Sequence, residues 1–354
     1  MQSSPDKLFS ITTQKQYNKE NDEWKAAHNI SGDVALTSQL NQQLITGTEG
    51  NAKMTISNLQ GGQIIGEETQ DGFGSGHISP DTYIKLTGDH MSFDVTWDNL
   101  QHTTYKGKAI TSLKEHFEAY KNVTRNKNAT NNFDDNNGEP NLKGHSIHIS
   151  YDPTKGFNQF GLTTTFVGQY YYADGNPVNF EKGNAYLSVG SLNNYQNGLK
   201  QYSREEAIVN SGGRAIGLAG SSVTVHGNEI YANNPNTTPD NELKPGGAQA
   251  WDGYNPQHQF KGQYGAGQWD YNGSPLQFYG AGLVELDGSQ FSITATESDE
   301  DIPDGASFRN WEWFNMTAVL PKTQEPQQKT TEVHYHYDVI LIRHNLWIIN
   351  YFLV

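Results

Sequence analysis

Alternation of apolar and polar residues most constrains what this 354-residue chain can fold into. In Met91–Trp97, Met, Phe, Val and Trp stand at every second position, and Val223–His226 alternates in the same way. A period of two is typical of a β-strand with one buried face. Similar strand-like runs occur at 54–57, 83–86, 145–151, 162–172, 283–296 and 308–320. The sequence therefore predicts many strands and few long helices.

Composition supports a large β domain. Hydrophobic residues make up 34% and aromatic residues 12% of the chain, which also holds 36 glycines. Such a composition favours short strands joined by polar loops, with a core built on rings. Asp174-Gly175 lies between two strand-like runs, which is a hairpin signal. We predict a mainly β fold: one large antiparallel β-sandwich with a few short helices and long loops.

Three segments depart from the strand pattern. Helical spacing appears around Lys19–Ala27 and again near Leu36–Leu44. Lys106–Tyr120 places Leu113, Phe117 and Tyr120 on one helical face, so helix and strand both remain open there. Residues 232–275 are rich in Asn, Pro, Gly and Gln, and a loop of that length is usually functional or disordered.

Charge and cysteine content exclude several classes of function. The absence of cysteine rules out disulfide frameworks, zinc ribbons and thiol nucleophiles. A net charge of −15, with no long basic run, disfavours nucleic-acid binding and better suits Ca²⁺ or neutral sugars. Residues 1–5 lack the pattern of a secretory signal, and 340–354 are too short to span a bilayer.

Seven segments carry a family resemblance: Gly220–Ala232, Ser150–Phe157, Tyr170–Phe180, Ser188–Asn193, Tyr279–Gly282, Trp311–Phe314 and Val333–Tyr337. In order and spacing they resemble the variable-region domain of antigen I/II-type Gram-positive surface adhesins. That domain is related to the glucan-binding protein C domain and to enterococcal aggregation substance. The resemblance covers roughly residues 45 to 340.

The resemblance implies a lectin-like sandwich in an extracellular, cell-wall-anchored adhesin, of which this chain would be a fragment. The implied partners are a host glycoprotein or glycan, or a partner-cell surface polymer, bound without breaking a bond. A structural Ca²⁺ in or near the cleft is also implied. The implied domains are 1–45, the end of a helical stalk or a flexible lead-in, 46–320, the sandwich, and 321–354, a linker followed by a new segment or a non-native tail.

We predict a ligand cleft between three groups of polar and aromatic residues: Ser191, Asn193 and Asn194; His226, Asn228 and Tyr231; and Trp251, Asp252 and Tyr254. Short amides and hydroxyls exchange hydrogen bonds with sugar hydroxyls, and an exposed ring stacks on a sugar face. Each group also has a purely structural interpretation. The first would cap a turn, the second would hold a satisfied strand-end histidine, and Trp251 would plug its loop onto the core.

Two other functions stay open. In Trp311–Trp313, Glu312 could serve a glycosidase with a second carboxylate about 5–5.5 Å away, although simple Trp-in, Glu-out alternation is favoured. The distant second carboxylates are Asp152, Glu205 and Glu206. A groove for DNA or lipoteichoic acid would instead require four basic residues to gather: Lys200, Arg204, Arg214 and Lys261. His334 and His336 have a metal-compatible spacing, with a structural role favoured.

Overall fold

The computed structural model describes residues 34–68, 78, 80–122, 130–131, 145–196, 201–237, 266–270, 273–298, 307–308 and 310–323, together with Lys19 and Glu23. Except for Lys19 and Glu23, all of these belong to one compact unit, Asn29–Gln324. The predicted domain boundaries at 45 and 320 stay a prediction.

Strands dominate the described part of the chain. In chain order they are β1 (Val34–Ala35), β2 (Leu44–Ile45), β3 (Lys53–Gln60), β4 (Gly62–Glu68), β5 (Asp81–Leu86), β6 (His90–Asp98), β7 (Thr104–Tyr105), β8 (Lys108–Lys121), β9 (Thr130–Asn131), β10 (Ser146–Ser150), β11 (Phe157–Phe160), β12 (Leu162–Tyr172), β13 (Tyr186–Gly190), β14 (Asn194–Gln196), β15 (Gln201–Ser211), β16 (Gly213–Leu218), β17 (Val223–His226), β18 (Glu229–Ala232), β19 (Gly282–Leu286), β20 (Phe291–Ser298), β21 (Ser307–Phe308) and β22 (Trp311–Thr317).

From residue 34 onward, helical structure is limited to single turns in the described residues, and Lys19 and Glu23 are also helical. One α-helical turn, α1, spans Ala266–Trp269. Turns of 3₁₀ helix span Thr37–Gln39, Pro153–Lys155 and Gln277–Gly280. At Leu36–Leu44 the structure therefore has a short 3₁₀ turn and the start of β2, where the spacing predicted a helix. Leu36 and Leu44 are both buried, so tertiary packing outweighs the local helical pattern.

The strands form two large sheets. Within the described residues, the smaller sheet has nine strands in the order β1-β16-β19-β13-β22-β11-β10-β5-β4. The larger has thirteen, and its main path is β17-β18-β15-β20-β12-β8-β6-β3. Most neighbours run antiparallel; β1 with β16, β15 with β21 and β21 with β9 are parallel. This two-sheet arrangement confirms the predicted antiparallel sandwich.

The principal core lies between the two sheets and is rich in aromatic rings. Phe117 of β8 packs against Phe157 of β11 and Phe166 of β12, with ring centroids 5.8 and 5.7 Å apart. Phe314 of β22 joins the same cluster, 5.4 Å from Phe157. Rings therefore form the centre of this core, with aliphatic side chains around them.

A second apolar cluster covers the opposite face of the nine-stranded sheet. In β13, Leu187 and Val189 belong to the inter-sheet core, whereas Tyr186 packs in the second cluster. Because side chains alternate along a strand, these two sets face opposite ways. Trp269 of α1 and Phe278 of the following 3₁₀ turn cover Tyr186 from outside. A wall therefore rises from the outer face of this sheet.

The segment Lys106–Tyr120, open between helix and strand, is mostly strand β8. Residues 110–121 pair with β12 on one side, and residues 112–120 pair with β6 on the other. Leu113 and Phe117 point into the core, while Tyr120 is half exposed on the opposite face. Because side chains alternate along a strand, Tyr120 lies on the opposite face from Leu113 and Phe117, whereas a helix would have placed all three on one face.

Gly156, between the 3₁₀ turn and β11, is expected to be intolerant of a side chain. Its φ is +71°, and an added Cβ would lie 2.0 Å from the Phe314 carbonyl oxygen. We expect Gly156→Ala to lower the free energy of unfolding by about 2–3 kcal/mol, combining backbone strain with a shift of β22. Gly175→Ala is the matched control, because Gly175 has φ +79° but open space around it. Equal losses for both variants, measured by urea denaturation, would contradict the argument.

Candidate functional site

A shallow pocket opens on the outer face of the nine-stranded sheet. Its empty space is about 430 Å³, counting the side open to solvent. The floor is formed by alternate residues of two adjacent strands: Ser188 and Gly190 of β13, and Trp313, Asn315 and Thr317 of β22. Gly190 leaves the floor open, since an added Cβ would meet nothing within 4 Å.

One wall of the pocket is held by a hydrogen bond between two loops. Ser191 follows β13 with a φ of +59°, an uncommon conformation for a residue other than glycine. Its Oγ donates to Asp270 Oδ1 at 2.7 Å, which joins the strand end to the residue after α1. Trp269 and Gln277 complete this wall, and Val319 and Pro321 line the opposite rim.

Two polar atoms of the pocket lining have no hydrogen-bond partner within the described structure. They are the indole Nε1 of Trp269 and the amide Oδ1 of Asn315. Buried polar groups normally have a protein or water partner, so each of these atoms calls for one. One is a donor and the other an acceptor, and both atoms are buried beneath the pocket surface.

The charge of the pocket favours a neutral ligand. Among its described lining residues, Asp270 carries a charge and there is no lysine or arginine. A polyanion would need several cations at this position. Hydroxyl groups, by contrast, are well suited to a carboxylate and amides beside the largely buried rings of Trp269 and Trp313.

Of the first predicted group, Ser191 lines this pocket, while Asn193 and Asn194 lie beneath it. Asn193 is 8% exposed; its amide donates to Ser191 O at 2.9 Å and accepts from the Thr237 hydroxyl at 2.5 Å. Asn194 donates to Ala232 O at 2.8 Å. Both asparagines hold the turn that presents Ser191. Their contact with a ligand stays a prediction.

The second predicted group lies on the larger sheet and does not line the pocket. His226 and Tyr231 stack with ring centroids 4.0 Å apart, and Arg204 lies 4.3 Å from the Tyr231 centroid on the same β17–β18–β15 surface. Burial is the first cause that lowers the His226 pKa, and Arg204 adds to it. Asn228 is exposed and donates to Val209 O at 3.1 Å. The structure therefore does not join these residues to Ser191 in one cleft.

The third predicted group lies outside the described residues. Trp251, Asp252 and Tyr254 belong to it, and ligand contact by them stays a prediction. Lys200 and Lys261 of the proposed basic groove also lie outside, as do His334 and His336.

The two described arginines of that groove are neutralised by carboxylates. Arg204 Nη2 lies 2.6 Å from Glu206 Oε1, and the two side chains cover each other on the larger sheet. Arg214 is paired with Glu285 on the smaller sheet. Since each already has a counter-ion and they lie on different sheets, they do not form a cationic groove.

The carboxylates named for a glycosidase have structural roles. The favoured Trp-in, Glu-out alternation is wrong, because Trp313 lies on the outer face. Glu312 is 1% exposed, points between the sheets and accepts from Gln159 Nε2 at 2.7 Å. Burial, followed by the nearby charge of Glu205, raises its pKa well above the usual range. Asp152 caps the 3₁₀ turn at Thr154, and Glu205 accepts the Asn193 N–H. Within the described structure, Glu312 is therefore not placed to protonate a sugar bound at the surface.

The described part of the chain has no group of three or more His, Asp or Glu side chains that could hold a metal ion. The implied Ca²⁺ thus stays a prediction without described ligands. None of the helices described is long and apolar enough to cross a bilayer.

Sequence reasoning missed Trp269, Asp270 and Asn315. The first two lie in a short turn whose sequence has no strand periodicity. Asn315 was within reach, because Trp313 and Asn315 stand two apart on a predicted strand and so share a face. No local signal indicates that β13 and β22 are neighbours.

Comparisons with known proteins place the chain in a family. The sequence profile of glucan-binding protein C matches residues 27–317. The structure of glucan-binding protein C of Streptococcus mutans is 19% identical, with a TM-score of 0.51 over 90% of this chain and 95% of that one. The adhesin domain of PrgB from Enterococcus faecalis is 14% identical, with a TM-score of 0.54 over 88% of this chain and 100% of that one. A DNA-bound structure of the PrgB domain is 15% identical, with a TM-score of 0.53 over 83% and 100%. Since the profile spans most of its length, the chain belongs to the glucan-binding protein C family.

Proposed function

We propose that this chain is the ligand-binding domain of a Gram-positive surface adhesin and that it binds a neutral glycan polymer, such as a glucan, without breaking a bond. The pocket over β13 and β22 would hold part of the polymer. In the full-length protein the domain would act outside the cell and be anchored to the wall.

The observation that carries this proposal is a pocket lined by aromatic rings, amides and hydroxyls, without described cations. Trp269 Nε1 and Asn315 Oδ1 are buried atoms, so a sugar hydroxyl would bond to them after these side chains turn toward the ligand. Asp270, held by Ser191, adds a charged acceptor at the same wall. Glucan-binding protein C of Streptococcus mutans is described as mediating sucrose-independent and sucrose-dependent adherence, which agrees with this role.

Binding of soluble dextran by isothermal titration calorimetry tests the proposal. Asn315→Ala removes the unpartnered acceptor, and Trp269→Phe removes the indole donor while retaining a ring. We expect each variant to bind about tenfold more weakly, the loss of roughly one hydrogen bond. Asn228→Ala is the control, because it removes an exposed amide from the other sheet.

Other outcomes would redirect the assignment. A loss confined to Asn228→Ala would move the site to the β17–β18 turn. The PrgB adhesin domain has been solved bound to DNA, so duplex DNA is the second ligand to titrate. Salt-sensitive binding of DNA, with no response to dextran, would overturn the glycan proposal. Thermal unfolding of each variant separates loss of binding from loss of folding, particularly for Trp269, which is 1% exposed.

A further inference from the structure

A buried glutamate lies in the middle of the inter-sheet core. Glu115 stands on β8 between Leu113 and Phe117, on the face that packs against the smaller sheet, and is 8% exposed. Loss of solvation raises its pKa from 4.5 to about 8, and no charge or hydrogen bond from the described residues offsets that loss. A carboxyl group left in this state calls for a partner.

The carboxyl group faces a pocket walled by aromatic rings. The pocket has about 390 Å³ of empty space, counting the side open to solvent, and within it the free space admits a group about the size of one water molecule. Its opening lies between the half-buried Pro153–Gly156 turn and Met316. The ring-bearing lining residues are Trp97, Phe117, Phe157, Phe166, Tyr170 and Phe314.

The ring walls are fixed by their own contacts. Trp97 Nε1 donates to Ser150 O at 3.0 Å, which ties one sheet to the other. Phe166 meets Phe157 edge-on with centroids 5.8 Å apart and Phe314 at 5.7 Å. Because these side chains are already ordered, binding a ligand here carries little entropic cost of ordering the walls.

We propose that this inner pocket binds a primary alkylammonium group, with the Glu115 carboxylate as its counter-ion and the aromatic rings as its cation–π wall. A cation over ring faces is attracted more strongly where water is excluded. A compact –NH₃⁺ matches the narrow free space, and its alkyl chain matches the apolar opening at Met316. A metal ion fits poorly, because Ca²⁺ and Mg²⁺ require several oxygen ligands and the lining offers one carboxylate.

This pocket is separate from the glycan pocket. β22 divides the two, since Phe314 and Met316 line the inner one and Trp313 and Asn315 the outer one. The ammonium proposal therefore stands or falls independently of glycan binding.

The test is calorimetric titration with n-butylammonium chloride, and with 1-butanol as the neutral probe, at constant ionic strength and pH 9. We expect saturable butylammonium binding in the wild-type chain and at least tenfold weaker binding of 1-butanol. Below pH 8, binding must displace the Glu115 proton, so the butylammonium affinity should fall about tenfold per pH unit.

Two matched variants complete the test. Glu115→Gln keeps the side-chain volume and should weaken butylammonium binding at pH 9 about tenfold or more, while leaving 1-butanol binding unchanged. Glu118→Gln removes the same charge from the opposite face of β8 and should change neither. Equal affinity for the two probes, absence of saturable butylammonium binding, or an unaffected Glu115→Gln variant would each overturn the proposal.

Discussion

Glu49→Ala is expected to lower the free energy of unfolding by about 3–4 kcal/mol. Glu49 is 1% exposed and accepts three hydrogen bonds. Its Oε2 accepts from Gln101 N at 2.7 Å, and its Oε1 accepts from His102 N and the Thr103 hydroxyl, both at 2.8 Å. Removing the carboxylate deprives all three donors at once.

The cost is large because the Glu49 carboxylate holds the loop after β6. The backbone of Glu49, which Glu49→Ala retains, reaches a second loop. Its own N–H donates to Asp152 Oδ2 at 3.1 Å, and the other oxygen of Asp152 caps the 3₁₀ turn at Thr154. The loop after β6, the segment after β2 and the entry to β11 are thereby held in one chain of hydrogen bonds. Charge-assisted bonds of this kind are about twice as strong as neutral ones.

Equilibrium urea unfolding measures this effect, with Asp98→Ala as the matched control. Asp98 is an exposed carboxylate at the end of β6, next to the same loop. Its removal should change stability by less than about 0.5 kcal/mol. A Glu49→Ala loss no greater than that of the control would show that water replaces the carboxylate without cost.

The strands of the sandwich were predictable because alternation is a local property. The pattern at Met91–Trp97 becomes β6. The Asp174-Gly175 signal becomes a turn in which Gly175 N bonds to Tyr172 O at 2.9 Å and Tyr171 bridges Pro177. The order of strands is not local. β22 lies between β11 and β13, each more than 120 residues earlier in the chain, and its register depends on packing that no short segment specifies.

The candidate site was only partly predictable for the same reason. Ser191 follows an apolar strand, so a polar loop at its end could be foreseen, and Ser191 does line the pocket. Its partner Asp270 lies 79 residues away and becomes a neighbour only when α1 packs on the sheet. Asn193 shows why residue type alone is ambiguous. An amide that could bind a ligand here donates instead to Ser191 O and supports the turn.

Buried carboxylates have a common role in this chain. With few aliphatic residues available, Glu49, Asp152 and Glu205 accept backbone N–H groups of the polar loops and fix them to the sandwich. Glu115 differs from these three. It lies among rings, and no described hydrogen bond contributes to its pKa. A charge there is therefore expected to oppose folding.

Glu115→Gln is expected to stabilise the chain at alkaline pH and to change little at pH 5. The pKa of Glu115 is 4.5 in the unfolded chain and about 8 in the folded chain. Between these pH values the folded chain therefore binds one more proton than the unfolded chain. The stability contributed by the neutral acid is complete below pH 4.5 and is lost as pH rises through 8. At about 1.4 kcal/mol per pKa unit, the full loss is about 5 kcal/mol.

The difference in unfolding free energy between Glu115→Gln and the wild-type chain isolates this effect from other titrating groups. It should be close to zero at pH 5, grow with pH and level off above pH 8, as measured by urea denaturation across that range. The pKa of Glu312 is also raised, but Glu312 is present in both proteins, so its contribution cancels in the difference. Asp98→Asn, which removes an exposed carboxylate at the end of β6, should show no such rise. If the unfolding free energies of Glu115→Gln and the wild-type chain ran parallel with pH, Glu115 would be solvated in the native state. Only a desolvated carboxylic acid retains its proton up to pH 8.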